Sequence, residues 1–119
     1  MTRKRVNALN ILCEATNRCR TLVNEPVIQL NAARLAVEIE KMGKEVGAEV
    51  EILNRKKIEA LKMGGLLAVN KGSQDPPTFT ILRWKPREPV NQRPYVLVGK
   101  GIVFDTGGLN IKSGTTWTI

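Results

Sequence analysis

Apolar positions recur with a helical period over residues 5–23, where Val6, Leu9, Leu12, Cys13, Thr16, Cys19 and Val23 fall near one face. Asn24-Glu25-Pro26 ends that run, because the residue before a proline is biased away from helical geometry. Asn31 is a candidate cap for a second helix, in which Leu35, Ile39, Met42 and Val46 follow helical spacing and Gly47 supplies a stop. The period then changes. Val50 and Ile52 alternate with Glu49 and Glu51, which predicts a short strand. Asn54 is placed to cap a third, short helix through Lys62, with Ile58 and Leu61 inward. Leu66 to Val69 is a short apolar run, read as a buried strand, and residues 71–77 form a loop by composition. Thr78 to Trp84 alternates as a strand, and Pro86, Pro89 and Pro94 mark the next connection. Tyr95 to Phe104 is the most apolar predicted strand, with Gly99 and Gly101 permitting close backbone approach. Helices alternating with strands predict a layered α/β domain, and no internal repeat or low-complexity segment interrupts it.

Composition narrows the class. A chain of 119 residues suits one domain with a modest core. No apolar run approaches the ~18 residues of a membrane span, and the basic N-terminus lacks the apolar stretch of a signal peptide. A cytoplasmic protein without membrane partners is therefore expected. The formal charge of +8 invites a nucleic-acid reading, but the basic residues are scattered and aromatics make up only 4%, so stacking platforms are scarce. Nucleic acid is not the expected partner. Histidine is absent, which removes Ser-His-Asp and Cys-His catalysis and every histidine-based zinc site. Cys13 and Cys19, six apart, lie on different flanks of that stripe at about 100° per helical residue, so neither a disulfide nor a metal pair is expected, only reduced and partly buried thiols.

The segment from Tyr95 to Lys112 holds the candidate chemistry. It places Lys100, Asp105 and Lys112 on an apolar run that enters a glycine turn. Taken singly, Lys100 reads as a surface lysine at a strand end and Asp105 as a turn residue before glycines. Asp105-Thr-Gly is also the triplet of aspartic proteases, in which two such loops bring two carboxylates together to share a proton. That fold is nearly all β, whereas the N-terminal half of this chain reads helical, and a three-residue motif needs its structural context.

A longer pattern is more specific. Val98-Gly-Lys-Gly-Ile-Val-Phe-Asp-Thr-Gly-Gly-Leu-Asn-Ile-Lys112 resembles the first active-site segment of the leucyl (cytosol) aminopeptidases, a family of two-metal peptidases. Arg20-Thr-Leu-Val-Asn-Glu-Pro26 resembles that family's Arg-x-Leu-x-Asn-x-Pro entry to the catalytic domain. Leu61 to Pro77 resembles its Met-Gly…Gly-Ser-x-x-Pro-Pro segment. The resemblance implies an incomplete three-layer α/β/α catalytic domain with a mixed sheet over residues 1–114. It implies that Asp105 bridges two divalent metals (manganese or zinc, or else magnesium) and that Lys100 binds one of them as a neutral amine. Such an amine needs its pKa driven down by the dication and by burial. The lysine matching Lys112 stays cationic and holds the substrate carbonyl and tetrahedral intermediate. The implied reaction is release of an N-terminal amino acid from a peptide, the metals polarising the carbonyl and activating water.

The sequence also departs from the family. A further aspartate after the second lysine, within Met-x-x-Met-Lys-x-Asp-Met, and the Asn-Thr-Asp-Ala-Glu-Gly-Arg segment have no counterpart here. A truncated, inactive aminopeptidase is expected, against a non-catalytic binding or regulatory module and a basic nucleic-acid binder as alternatives. A sheet short of strands is expected to leave an unprotected edge, so homo-oligomers are expected. Residues 115–119, Thr-Thr-Trp-Thr-Ile, do not resemble the family and are read as a frameshifted tail. The codons of Thr116, Trp117, Thr118 and Ile119, read in the shifted frame through a TGA stop, permit Met-Asp-Asp-Met-Lys. The gene tests this: the shifted frame beyond codon 114 should encode the missing aspartate and the Asn-Thr-Asp-Ala-Glu-Gly-Arg segment, and a frame holding neither removes the idea.

Overall fold

The computed structural model describes residues 2–102. Helix α1 covers Arg3–Asn24. It stops where Glu25, preceding Pro26, turns extended (φ −65°, ψ 132°). Helix α2 covers Ala32–Val46, and the Asn31 side chain accepts from the Arg34 N–H at 3.0 Å, satisfying one of the open donors of its first turn. Gly47 ends α2 in the left-handed conformation (φ 67°, ψ 29°), which a glycine adopts at no Cβ cost, and the Ala48 N–H closes back on the Gly43 carbonyl at 2.8 Å. Strand β1 follows at Glu49–Leu53 and helix α3 at Arg55–Ala60, where the Asn54 side chain accepts from the Lys57 N–H at 3.1 Å. Helix α4 covers Gly64–Asn70, and strand β2 covers Phe79–Arg83.

The two strands pair antiparallel, with Glu49 opposite Arg83, Glu51 opposite Ile81 and Leu53 opposite Phe79. Alternation sends Val50 and Ile52 to one face, where α2 packs on both strands. The approach is close at Gly43, where a Cβ would meet Val50 Cγ2 at 2.2 Å. Thr78 Oγ1 donates to the Ala32 carbonyl at 3.1 Å and ties the start of β2 to the start of α2. Among the described residues the buried apolar core is Ala36, Leu53 and Ile58, set where α2 and α3 meet β1. Arg83 spans Glu49 at 3.3 Å and Glu51 at 3.2 Å on the opposite, solvated face.

Helices and a two-stranded antiparallel sheet make an incomplete α/β domain. The parallel neighbours that a mixed sheet requires are not among the described residues. Several local expectations are corrected. Leu66 to Val69 lies in helix α4, not in a strand. Met63, Leu66, Leu67 and Asn70 are half-buried and Val69 is exposed, a helical spacing that a four-residue apolar run does not reveal alone. The described part of the run 95–104 forms no strand, since no edge of the sheet pairs with it, and Tyr95 to Val98 stand almost fully exposed. Among the described residues nothing lies within 4 Å of a Cβ position at Gly99 or Gly101, so no close approach there is seen. Both cysteines are exposed, not partly buried. The reason lies in α1: its half-buried residues there are Arg18 and Leu22, while Val6, Leu9, Leu12, Cys13, Thr16, Cys19 and Val23 all face solvent. Val46 and Leu61, placed inward by spacing, are likewise exposed, Val46 at the end of α2 and Leu61 just beyond the end of α3.

Candidate metal-binding segment and the joint between the first two helices

Of the residues singled out for chemistry, the structure places Lys100, on an exposed stretch without regular secondary structure beyond Pro94. Asp105 and Lys112 lie outside the described residues, so the structure does not bring the three together. Lys100 is solvent-exposed. Among the described residues no group of three or more histidine, cysteine, aspartate or glutamate side chains could hold a metal ion.

Sequence reasoning missed a second feature. A cleft of about 390 Å³ opens between α1, the turn after Pro26 and α2, lined by Arg18, Glu25, Gln29, Leu30, Arg34 and Glu38. Arg18 closes one side by a two-pronged pair with Glu45, Nη1 to Oε2 at 2.5 Å and Nη2 to Oε1 at 2.9 Å. That hydrogen bond raises the Arg18 pKa further and lowers that of Glu45. Glu38 is lowered in turn, first by its 2.6 Å hydrogen bond from Lys41. The cleft sets the carboxylates of Glu25 and Glu38 among the guanidiniums of Arg18 and Arg34, and the Arg18–Glu45 pair beside it bridges α1 to α2, so it is read as a joint between two helices. A residue pair so distant in sequence leaves no local signal. Because Glu45 is depressed in the folded chain, the joint contributes above the ordinary glutamate range and is lost as pH falls below it. We expect the α1–α2 contact to loosen in that acidic window and Glu45→Gln to remove the pH dependence, measured by the Arg18 side-chain NMR signals across an acid titration. A transition unchanged in Glu45→Gln would contradict this.

The sequence profile of the cytosol aminopeptidase family, catalytic domain, matches residues 17–118. The chain belongs to the cytosol aminopeptidase family. Lys100, Asp105 and Lys112 and the two motifs upstream lie within the matched span, which begins inside α1 and runs on over most of residues 115–119. Among its relatives is a probable cytosol aminopeptidase of Chlorobaculum parvum, 50% identical over 106 residues, which are 89% of this chain and 21% of that protein. Another, from Sulfurihydrogenibium sp., is 47% identical over 104 residues, 87% of this chain and 20% of that protein. A third, from Ralstonia nicotianae, is 50% identical over 95 residues, 80% of this chain and 19% of that protein. The chain thus spans about a fifth of the length of these relatives. No solved structure matches. Among the described residues no helix is long and apolar enough to cross a membrane.

Proposed function

We propose that residues 98–112 are the first metal-binding segment of an aminopeptidase that releases N-terminal amino acids from peptides, and that the 119-residue chain does not perform this reaction by itself. The observation that carries the reading is the Gly-Lys-Gly-Ile-Val-Phe-Asp-Thr-Gly-Gly run, lying inside the span matched by the family's catalytic domain. In this reading Asp105 and Lys100 are metal donors, and Lys112 is the cation that steadies a substrate carbonyl. A carboxylate that bridges two ions suits manganese, zinc or magnesium.

The donors in hand do not fit a two-metal centre. A catalytic zinc site uses about three protein ligands per metal. Here one amine, exposed, and one carboxylate would serve two ions, and no cluster of further acidic or thiol donors stands among the described residues. No catalytic step is therefore derived through the metals, and weak ion binding is the expected behaviour. Addition of Mn²⁺ to ¹⁵N-labelled protein should broaden the amide signals around Lys100 and Asp105 ahead of all others. Broadening centred instead on the acidic residues of α2 would remove the assignment.

Peptides are the substrate class of this reading, and a cytoplasmic location and homo-oligomeric assembly go with it. Among the described residues the β1–β2 pair has no further strand on either edge, which supports self-association, because unpaired strand edges recruit further strands.

A further inference from the structure

The cleft between α1, the turn after Pro26 and α2 carries more charge than the joint consumes. Arg18 is taken up by Glu45, and Glu38 is held by Lys41 at 2.6 Å. Two lining groups of opposite sign are left over. Among the described residues the Arg34 guanidinium makes no hydrogen bond or ion pair, and it acts on Glu38 only through space. The first turn of α2 holds no acidic side chain to offset it. The Glu25 carboxylate likewise has no partner among the described residues, although Glu25 is half-buried. A charge partly withdrawn from water and left unpaired is costly, and a ligand that pairs it recovers that cost. Leu22 and Leu30, both half-buried, give the same cleft an apolar lining. Its volume of about 390 Å³ falls among small-molecule sites, which run from ~300 to 1,000 Å³.

We propose that this cleft binds a small apolar zwitterion, a free amino acid or a dipeptide, with its carboxylate on Arg34, its ammonium on Glu25 and its side chain against Leu22 and Leu30. The mixed lining selects the class. A simple anion would suit Arg34 but meet the repulsion of Glu25 and Glu38, and a simple cation would meet Arg18 and Arg34. A ligand with one charge of each sign answers both unpaired groups at once. Arginine presents parallel N–H donors that match a carboxylate, and an ammonium donates well to a glutamate. The Gln29 amide, also on the lining, can donate to one end or accept from the other. The site uses none of residues 98–112, so it stands whether or not the peptidase reading holds.

NMR titration of the ¹⁵N-labelled chain tests this with isoleucine and isoleucyl-isoleucine as probes. Both should produce saturable shifts confined to the turn after Pro26 and the facing ends of α1 and α2, and the probe that saturates first gives the length of the occupant. N-acetyl-isoleucine keeps only the carboxylate and isoleucine amide only the ammonium, and each should bind at least about five-fold more weakly, as loss of one exposed ion pair does. Arg34→Gln and Glu25→Gln should each weaken isoleucine binding by a similar factor. Neither side chain holds a partner in the folded chain, so helical circular dichroism should be unchanged in both variants. Shifts that rise linearly without saturation would overturn the proposal. So would N-acetyl-isoleucine binding as well as isoleucine, which would mark an anion site only, or binding indifferent to both substitutions.

Discussion

Loaded with Mn²⁺ or Zn²⁺, the 119-residue chain is expected to leave a leucine chromogenic amide intact, with a rate at the uncatalysed background. Enzymes of ordinary competence accelerate such reactions by factors of about 10⁶ or more, so the expected difference from a working aminopeptidase is a loss of many orders of magnitude. Three deficits combine. The donors singled out, Lys100 and Asp105, are too few to hold two ions in a fixed geometry. Lys100 stands exposed, where water competes for any ion. The arginine-bearing Asn-Thr-Asp-Ala-Glu-Gly-Arg segment is absent from this sequence, so Lys112 would face a developing oxyanion without that second cation. Because such groups act as a unit, one remaining member recovers little of the rate. Robust, metal-dependent release of the chromophore, abolished by chelator and restored by metal, would show that other residues complete a site.

Ile58→Ala is expected to cost about 2–5 kcal/mol, the largest effect of any single truncation in the described chain. Ile58 is fully buried, at 0% exposure, and among the described residues shares the buried apolar core with only Leu53 and Ala36. Its removal leaves a cavity where α3 meets β1, and Asn54, which caps α3 through the Lys57 N–H, then holds a helix with little to pack against. Small domains are stable by only about 5–15 kcal/mol, so this loss is a large share of the total. Urea unfolding followed by circular dichroism should show a clear drop in midpoint. Val69→Ala, at a side chain 67% exposed, should change stability by less than about 0.5 kcal/mol. Equal effects at the two positions would mean that the buried core described here does not hold the fold.

Local signals in the sequence were sufficient where the physics is local. Asn31, Gly47 and Asn54 each mark a helix end because their side chain or backbone satisfies it directly, and all three do so in the structure. The alternation at Glu49–Leu53 and Phe79–Arg83 identified both strands. The failures concern what packs against what. The stripe from Val6 to Val23 reads as a buried face, but burial needs a partner, and among the described residues none covers it. The Leu66–Val69 run has strand-like content but is too short to show its period; Met63 and Asn70, just outside it, complete the helical face. Tyr95 to Ile102 has the composition of a strand, yet a strand exists only with a neighbour to bond. The Arg18–Glu45 joint joins residues far apart in sequence and has no local signature. For the candidate site, chemistry was legible only as a linear motif. Lys100 can be placed, while Asp105 and Lys112 lie outside the described residues.

The central claim is that Asp105 is a metal donor inherited with the aminopeptidase segment, in a chain that holds metal poorly. Isothermal calorimetry with Mn²⁺ on the intact chain and on Asp105→Asn tests it most directly. The expected result is weak binding by the intact chain and its loss in Asp105→Asn, with helical circular dichroism unchanged. Binding of equal strength in both proteins would contradict the claim, because the ion would then sit on other residues.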